Sequence, residues 1–106
     1  MPILSIAVNK TGTLDAQDAV VRRLRGSGPM PPPGVIFQAV AHADHGYQVI
    51  GLWDSLGSLA RFRDERLAPA LEAEGIADDV THSTYEATSY MLGTSAEAAN
   101  QVATDA

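Results

Sequence analysis

Cysteine is absent from the 106-residue chain, and lysine occurs once, at Lys10. Without a thiol the protein has no disulfide, no thiolate metal ligand and no cysteine nucleophile. A chain without disulfides fits the reducing cytoplasm, which is the location we predict. His42, Asp44 and His45 are too close in sequence to converge on one ion, so we predict no metal site.

Basic residues and long apolar runs are also scarce. The formal net charge is −6, and the six arginines form two helical groups instead of one basic stripe. Nucleic acids and anionic membranes both attract basic surfaces, so we expect neither as a partner. No apolar stretch approaches the roughly 20 residues that span a bilayer. The length predicts one domain, which we place at residues 1–92. Residues 93–106 lack strong periodicity, so we expect them to form a flexible tail.

The chain does contain a regular succession of apolar periodicities. Alternation of apolar residues predicts strands over residues 3–9, 35–42, 47–53 and 82–92. Helical spacing predicts one helix over residues 14–25, stopped by Gly26. A second helix begins after Ser55, and Pro69 breaks or kinks it because proline has no N–H to donate.

The resulting order, β-α-β-β-α-β, predicts a ferredoxin-like α+β fold: a four-stranded antiparallel sheet with two helices on one face. The opposite face would carry Leu4, Ile6, Val8, Ile50 and Leu52. An apolar patch of that size is more than a monomer usually exposes, so we predict a homodimer in which a second sheet covers it.

The hairpin between residues 35 and 53 sets which side chains face the helices. A two- or four-residue loop opposes His42 to Tyr47, Val40 to Val49, Gln38 to Gly51 and Ile36 to Trp53. A slip of one residue would reverse the two faces. In this register Trp53, the single tryptophan, lies on the helix-facing side beside small residues.

Two segments carry a family resemblance. The run GYQVIGLWDS at residues 46–55, followed by FRDERLAPAL at residues 62–71, resembles the dimeric α+β barrel superfamily and its antibiotic-biosynthesis-monooxygenase-like members. The resemblance implies a pocket between sheet and helices, lined by an asparagine late in the first strand and a tryptophan ending the third. Asn9 and Trp53 match those places. Haem-degrading relatives carry an axial histidine on the second helix, and this chain has none there.

The resemblance and the residues together suggest a candidate site. Asn9 and His42 are the catalytic candidates, since an amide can stabilise an oxyanion and an imidazole can accept a proton. The candidate ligand-binding residues are Gln38, Tyr47, Trp53, Phe62 and Arg66.

Each candidate also has a structural alternative. Asn9 can bond the following turn, Trp53 can fill the core, and His82 at the start of the last strand leans to a structural role. We predict binding of a hydrophobic small molecule without a cofactor. The expected activity is that of a cofactor-independent monooxygenase, or an isomerase or cyclase, on an aromatic or polyketide-like substrate. The alternative is a non-catalytic ligand-binding or structural dimer.

Overall fold

Antiparallel pairing organises the sheet of this protein, for which a computed structural model describes residues 1–42 and 46–93. Within those residues the sheet has four strands: β1 Ile3–Asn9, β2 Val35–His42, β3 Tyr47–Trp53 and β4 Val80–Glu86. Their spatial order is β2-β3-β1-β4, and every neighbouring pair is antiparallel. The helices pack on one face. The predicted ferredoxin-like fold is therefore confirmed.

The register of the β2–β3 hairpin follows the prediction except at its open end. His42 pairs with Tyr47, and Gln38 pairs with Gly51. The predicted partnership of Ile36 with Trp53 is wrong, because a bulge lies between Val35 and Phe37 and Val35 takes the place opposite Trp53. A bulge adds one residue to one strand, which regular alternation cannot anticipate.

Helix α1, Leu14–Ser27, begins where predicted and ends later. The Thr13 hydroxyl accepts a hydrogen bond from the Ala16 N–H at 3.1 Å, which caps the first turn. The prediction that Gly26 stops the helix is wrong. The last turn continues to Ser27, where the Arg66 guanidinium donates to the Leu24 carbonyl at 2.7 Å. Such a donor satisfies a carbonyl that has no partner inside the helix.

The second helical region has three parts: α2 Leu56–Phe62, a π-helical turn Arg63–Leu67, and α3 Ala68–Ala73. In the π turn the Ala68 N–H donates to the Arg63 carbonyl, five residues earlier. The irregularity predicted at Pro69 thus lies ahead of the proline, which occupies the first turn of α3. Since the three parts are continuous, Pro69 leaves one carbonyl of the preceding turn without an N–H donor, and the wider π turn comes directly before it.

The core lies where the helices meet the sheet. Trp53 and Phe62 are in ring contact, with centroids 5.3 Å apart. Full burial of a large apolar side chain such as that of Phe62 stabilises a fold by about 1.5–3 kcal/mol. The buried residues of this cluster are Ile3, Val20, Leu24, Trp53, Leu59, Phe62, Ala70 and Leu71.

The last strand is shorter than predicted. It spans Val80–Glu86 instead of residues 82–92, and the described residues after it have no regular secondary structure. The Ala87 N–H still donates to the Pro2 carbonyl at 2.9 Å, which ends the pairing of β4 with β1. Residues 94–106, which make up most of the predicted flexible tail, lie outside the described residues, as do residues 43–45. No helix in the described part is long and apolar enough to cross a membrane.

Candidate functional site

A cavity of about 80 Å³ lies between the sheet and the helices. Its floor is the helix-facing side of β1 and β3, and its roof is formed by α1 and the second helical region. Apolar side chains dominate the lining. The polar side chains in the wall are Gln17, Gln38, Tyr47, Arg63 and His82, with Ser5 on the floor.

Small floor residues create this space. Ser5, Ala7 and Gly51 all line the cavity. A Cβ added at Gly51 would lie 2.8 Å from the Trp53 Nε1 and 2.9 Å from the Ser5 Oγ. Glycine at this position therefore leaves room for the indole ring. The short side chains of Ser5 and Ala7 leave the cavity unfilled.

Trp53 is both a core residue and a cavity wall. Its indole N–H donates to the Ser5 hydroxyl at 3.2 Å, and that hydroxyl donates to the Gly51 carbonyl at 3.4 Å. The polar edge of the ring is thus satisfied inside the protein. The ring presents an apolar surface to the cavity.

Asn9 is fully buried, at 0% exposure, and serves the turn after β1. Its carbonyl oxygen accepts from the Gly12 N–H at 2.6 Å and from the Thr11 N–H at 3.0 Å. Its Nδ2 donates to the Tyr47 hydroxyl at 3.4 Å. Asn9 does not line the cavity, and its contacts favour the structural alternative over the catalytic one.

His42 is also outside the cavity. It is the last residue of the edge strand β2, and its side chain is exposed to solvent. It shares the helix-facing side with Tyr47, yet it lies beyond the end of the cavity wall. His42 is therefore not placed to contact a ligand in this cavity.

The ligand-binding candidates divide into two groups. Gln38, Tyr47, Trp53 and Phe62 do line the cavity. Arg66 does not, because its guanidinium donates to the Ser27 hydroxyl at 3.1 Å, to the Pro29 carbonyl at 2.8 Å and to Leu24. It also lies over the Phe62 ring, 5.5 Å from the ring centroid. Arg66 thus ties α1 to the second helical region.

Three polar residues of the cavity wall lay outside the predicted site: Gln17, Arg63 and His82. His82 faces the helices because β4 pairs it with Ala7, a floor residue. Its side chain is partly exposed to solvent, and burial of the remainder, followed by the charge of the Arg63 guanidinium, lowers its pKa from the ordinary value. Strand alternation could have placed His82 here. Helical spacing could have placed Arg63, which lies four residues after the buried Leu59.

Within the described residues no group of three or more His, Asp or Glu side chains could hold a metal ion. The cavity can therefore offer a ligand an apolar surface, one guanidinium, one imidazole and a few amide and hydroxyl groups.

Neither protein-family models nor curated proteins match the chain. Several solved structures, in contrast, are similar to this chain. A protein from Deinococcus radiodurans, proposed to be an antibiotic biosynthesis monooxygenase, has 17% sequence identity and a TM-score of 0.60, covering 90% of this chain and 100% of its own. A variant of SnoaB, a cofactor-independent oxygenase from Streptomyces nogalater, has 14% identity and a TM-score of 0.60, with 85% and 95% coverage.

A third similar structure is a dimeric ferredoxin-like protein of unknown function from a Jannaschia species. It has 14% identity and a TM-score of 0.54, covering 82% of this chain and 100% of its own. The TM-scores of these structures show a shared fold, whereas sequence identities this low leave function open. The resemblance found in the sequence is thus confirmed at the level of the fold.

Proposed function

We propose that this protein binds a small, mainly apolar molecule in the cavity between its sheet and its helices. The observation that carries this proposal is the cavity itself, about 80 Å³ beside Trp53 in an otherwise packed core. Protein interiors leave few voids larger than a water molecule. A mainly apolar lining with a few polar side chains is the character of the sites that small ligands occupy.

The volume limits the ligand. A cavity of about 150 Å³ is known to hold benzene in another protein. The present cavity is smaller, so a fused-ring polyketide would require the walls to move. We therefore propose a compact ligand with at most a single ring, seated near the mouth where Gln38 and His82 are exposed to solvent.

Trp53 provides a direct test, because it is the single tryptophan and it lines the cavity. Benzamide, a neutral aromatic probe, should change its fluorescence in a saturable manner. Ala7→Leu adds volume to the cavity floor and should weaken binding by at least about tenfold, which is about 1.4 kcal/mol. Ala73→Leu makes the same change at an exposed position of α3 and should leave affinity unchanged.

The result that would overturn the proposal is an absence of saturable binding in the wild type. Equal affinity in wild type and Ala7→Leu would place the ligand elsewhere.

A second candidate function is cofactor-independent oxygen chemistry, and one neighbour of this fold, SnoaB, is described as such an oxygenase. Isomerase or cyclase activity fits the same cavity. For either, His82 replaces His42 as the candidate base because it lies in the wall. Oxygen uptake with hydroquinone, a single-ring phenol, without added metal or cofactor, should exceed the protein-free rate and fall in Ala7→Leu. No excess uptake would leave ligand binding without oxygenation.

The cavity-bearing unit is proposed to be a homodimer. Strand pairing places Leu4, Ile6 and Ile50 on the sheet face away from the helices. On the same face Phe37 is 47% exposed and Tyr85 is 57% exposed. A second copy of this apolar face is its simplest cover, and a similar structure is described as dimeric.

A further inference from the structure

We propose that Arg63 is an anion-binding residue of the cavity, and that the ligand carries one anionic oxygen group, of which a carboxylate is the best match, beside its apolar body. This inference rests on the proposed function, since it assigns a chemical class to the ligand of the same cavity. It goes further because it assigns a role to Arg63, which was not among the predicted site residues.

The first observation is an unpaired donor. The Nε of Arg63 is buried and has no hydrogen-bond partner. Within the described residues no carboxylate forms a salt bridge with Arg63. The neighbouring cations behave differently: Arg23 pairs with Glu74, and Arg66 donates to three acceptors. A buried N–H without a partner is uncommon in proteins, and each instance calls for an explanation.

The second observation is the composition of the wall around this donor. Leu59, Leu67 and Leu71 line the cavity with Arg63, and no described Asp or Glu does. A guanidinium stays protonated even in apolar surroundings, so its positive charge is retained without a counter-ion. The chain as a whole carries a net charge of −6. The cavity wall therefore carries a positive charge, although the protein as a whole is acidic.

His82 is the other titratable group of the wall. Its pKa is lowered by burial and then by the Arg63 charge, so its imidazole is neutral near pH 7. A neutral imidazole supplies no negative charge to pair with Arg63. It can instead donate or accept one hydrogen bond to the same ligand group.

The backbone explains how a charged residue comes to point inward. Arg63 lies four residues after Leu59 and directly after Phe62, so regular helical spacing places it on the face that these two cavity residues share. Beyond Arg63, positions spaced by four residues would drift around a regular helix, because four residues exceed one turn. The π turn Arg63–Leu67 contains one additional residue, which reverses part of this drift and keeps Leu67 and Leu71 on the cavity side. Such turns within helices are frequent at functional sites.

A carboxylate matches these features chemically. Its two oxygens accept from the planar donor fork of a guanidinium, and charge-assisted hydrogen bonds are the stronger ones. Benzoate and benzamide have nearly the same shape and differ in charge. Comparison of the two ligands therefore isolates the role of Arg63.

Binding is measured by Trp53 fluorescence and by calorimetry in wild type, Arg63→Gln and Arg61→Gln. We expect wild type to bind benzoate at least about tenfold more tightly than benzamide. Arg63→Gln should weaken benzoate binding by about 10- to 100-fold and leave benzamide within about threefold. Arg61 is exposed on the same helical region and does not line the cavity, so Arg61→Gln is the matched charge control.

Two further readouts separate binding from a structural role. Arg63→Gln removes an unpaired charge, so its thermal midpoint should equal or exceed that of wild type, whereas loss of a structural contact would lower it. In the ligand-free variant the pKa of His82, followed by NMR, should rise toward its ordinary value.

Equal affinities of wild type for benzoate and benzamide would overturn this inference while leaving the proposed function standing. The inference would also be overturned if Arg61→Gln lost as much benzoate affinity as Arg63→Gln. If neither ligand bound to wild type, the inference and the proposed function would both fall.

Discussion

Trp53 and its neighbours show how a few small residues create a site. The indole N–H is satisfied by Ser5, and Gly51 provides the room for the ring. A large side chain at Gly51 or Ala7 would fill the same space and produce an ordinary core. The cavity therefore results from the small side chains beside the indole ring as much as from the ring itself.

Asn9 represents the opposite case, in which a polar residue suited to catalysis is used for structure. Its carbonyl oxygen is directed at the backbone of Thr11 and Gly12, and none of its surface is exposed. The role of such a residue is tested by its effect on stability.

We expect Asn9→Ala to lower the free energy of unfolding by about 1–3 kcal/mol, because the part-buried N–H groups of Thr11 and Gly12 lose their acceptor. Urea denaturation measures this change. Benzamide binding, measured below the denaturation midpoint, should be retained. Thr11→Val removes only a hydroxyl contact at an exposed residue and should cost less than about 0.5 kcal/mol. An Asn9→Ala protein that is as stable as wild type but no longer binds benzamide would restore Asn9 to the site.

At the scale of elements, the second helical region is the part that departs most from regular geometry. Pro69 cannot donate to the preceding turn, and the wider π turn Arg63–Leu67 comes directly before its helix. The same segment carries Arg63 into the cavity and Arg66 onto the end of α1. Two arginines of this short segment therefore have different roles.

Arg66→Gln tests the second of these roles. The guanidinium supplies three hydrogen bonds to the end of α1 and the loop after it, where helix carbonyls also favour a positive charge. We expect a loss of about 1–2 kcal/mol in unfolding free energy, because two of the bonds are solvent-exposed and weakened by water.

Hydrogen exchange should locate the effect of Arg66→Gln, with faster exchange in the last turn of α1 and little change in the sheet. Arg61→Gln serves again as the control and should stay within about 0.5 kcal/mol of wild type. If both variants lost equal stability, net charge instead of the capping bonds would be responsible.

At the scale of the whole molecule, the sheet has two unlike faces. One is covered by helices and encloses the cavity. The other carries an apolar surface that includes Phe37, Ile50 and Tyr85, and the helices do not reach it. Covering this face would strengthen a small domain that has limited core volume of its own.

Phe37→Lys tests whether a second copy provides that cover. Wild type should sediment as a dimer at micromolar concentration, and the variant should shift toward monomer, because the interface would bury unpaired charges. Leu56→Lys places the same charge on an exposed leucine of α2 and should remain dimeric. A monomeric wild type would contradict the proposed dimer.

The sequence by itself determined the element order and most of the β2–β3 register. Period-two alternation marks which side of each strand is apolar, and turn residues mark where strands end, so Gln38 could be placed opposite Gly51. The same local rules put Tyr47 and Trp53 on the helix-facing side of β3 and Phe62 on the apolar stripe of the second helix, and all three line the cavity. These features follow from spacing along the chain, which the sequence contains in full.

Only the tertiary structure decided which polar side chains meet the cavity. Asn9 is taken by its own turn, His42 lies beyond the wall, and Arg66 caps a helix distant in sequence. Arg63 shares a helix face with Leu59 and Phe62, and the packing of that face over the sheet brings it into the cavity wall. The direction of a long polar side chain depends on contacts made across the fold, and no local periodicity encodes those contacts.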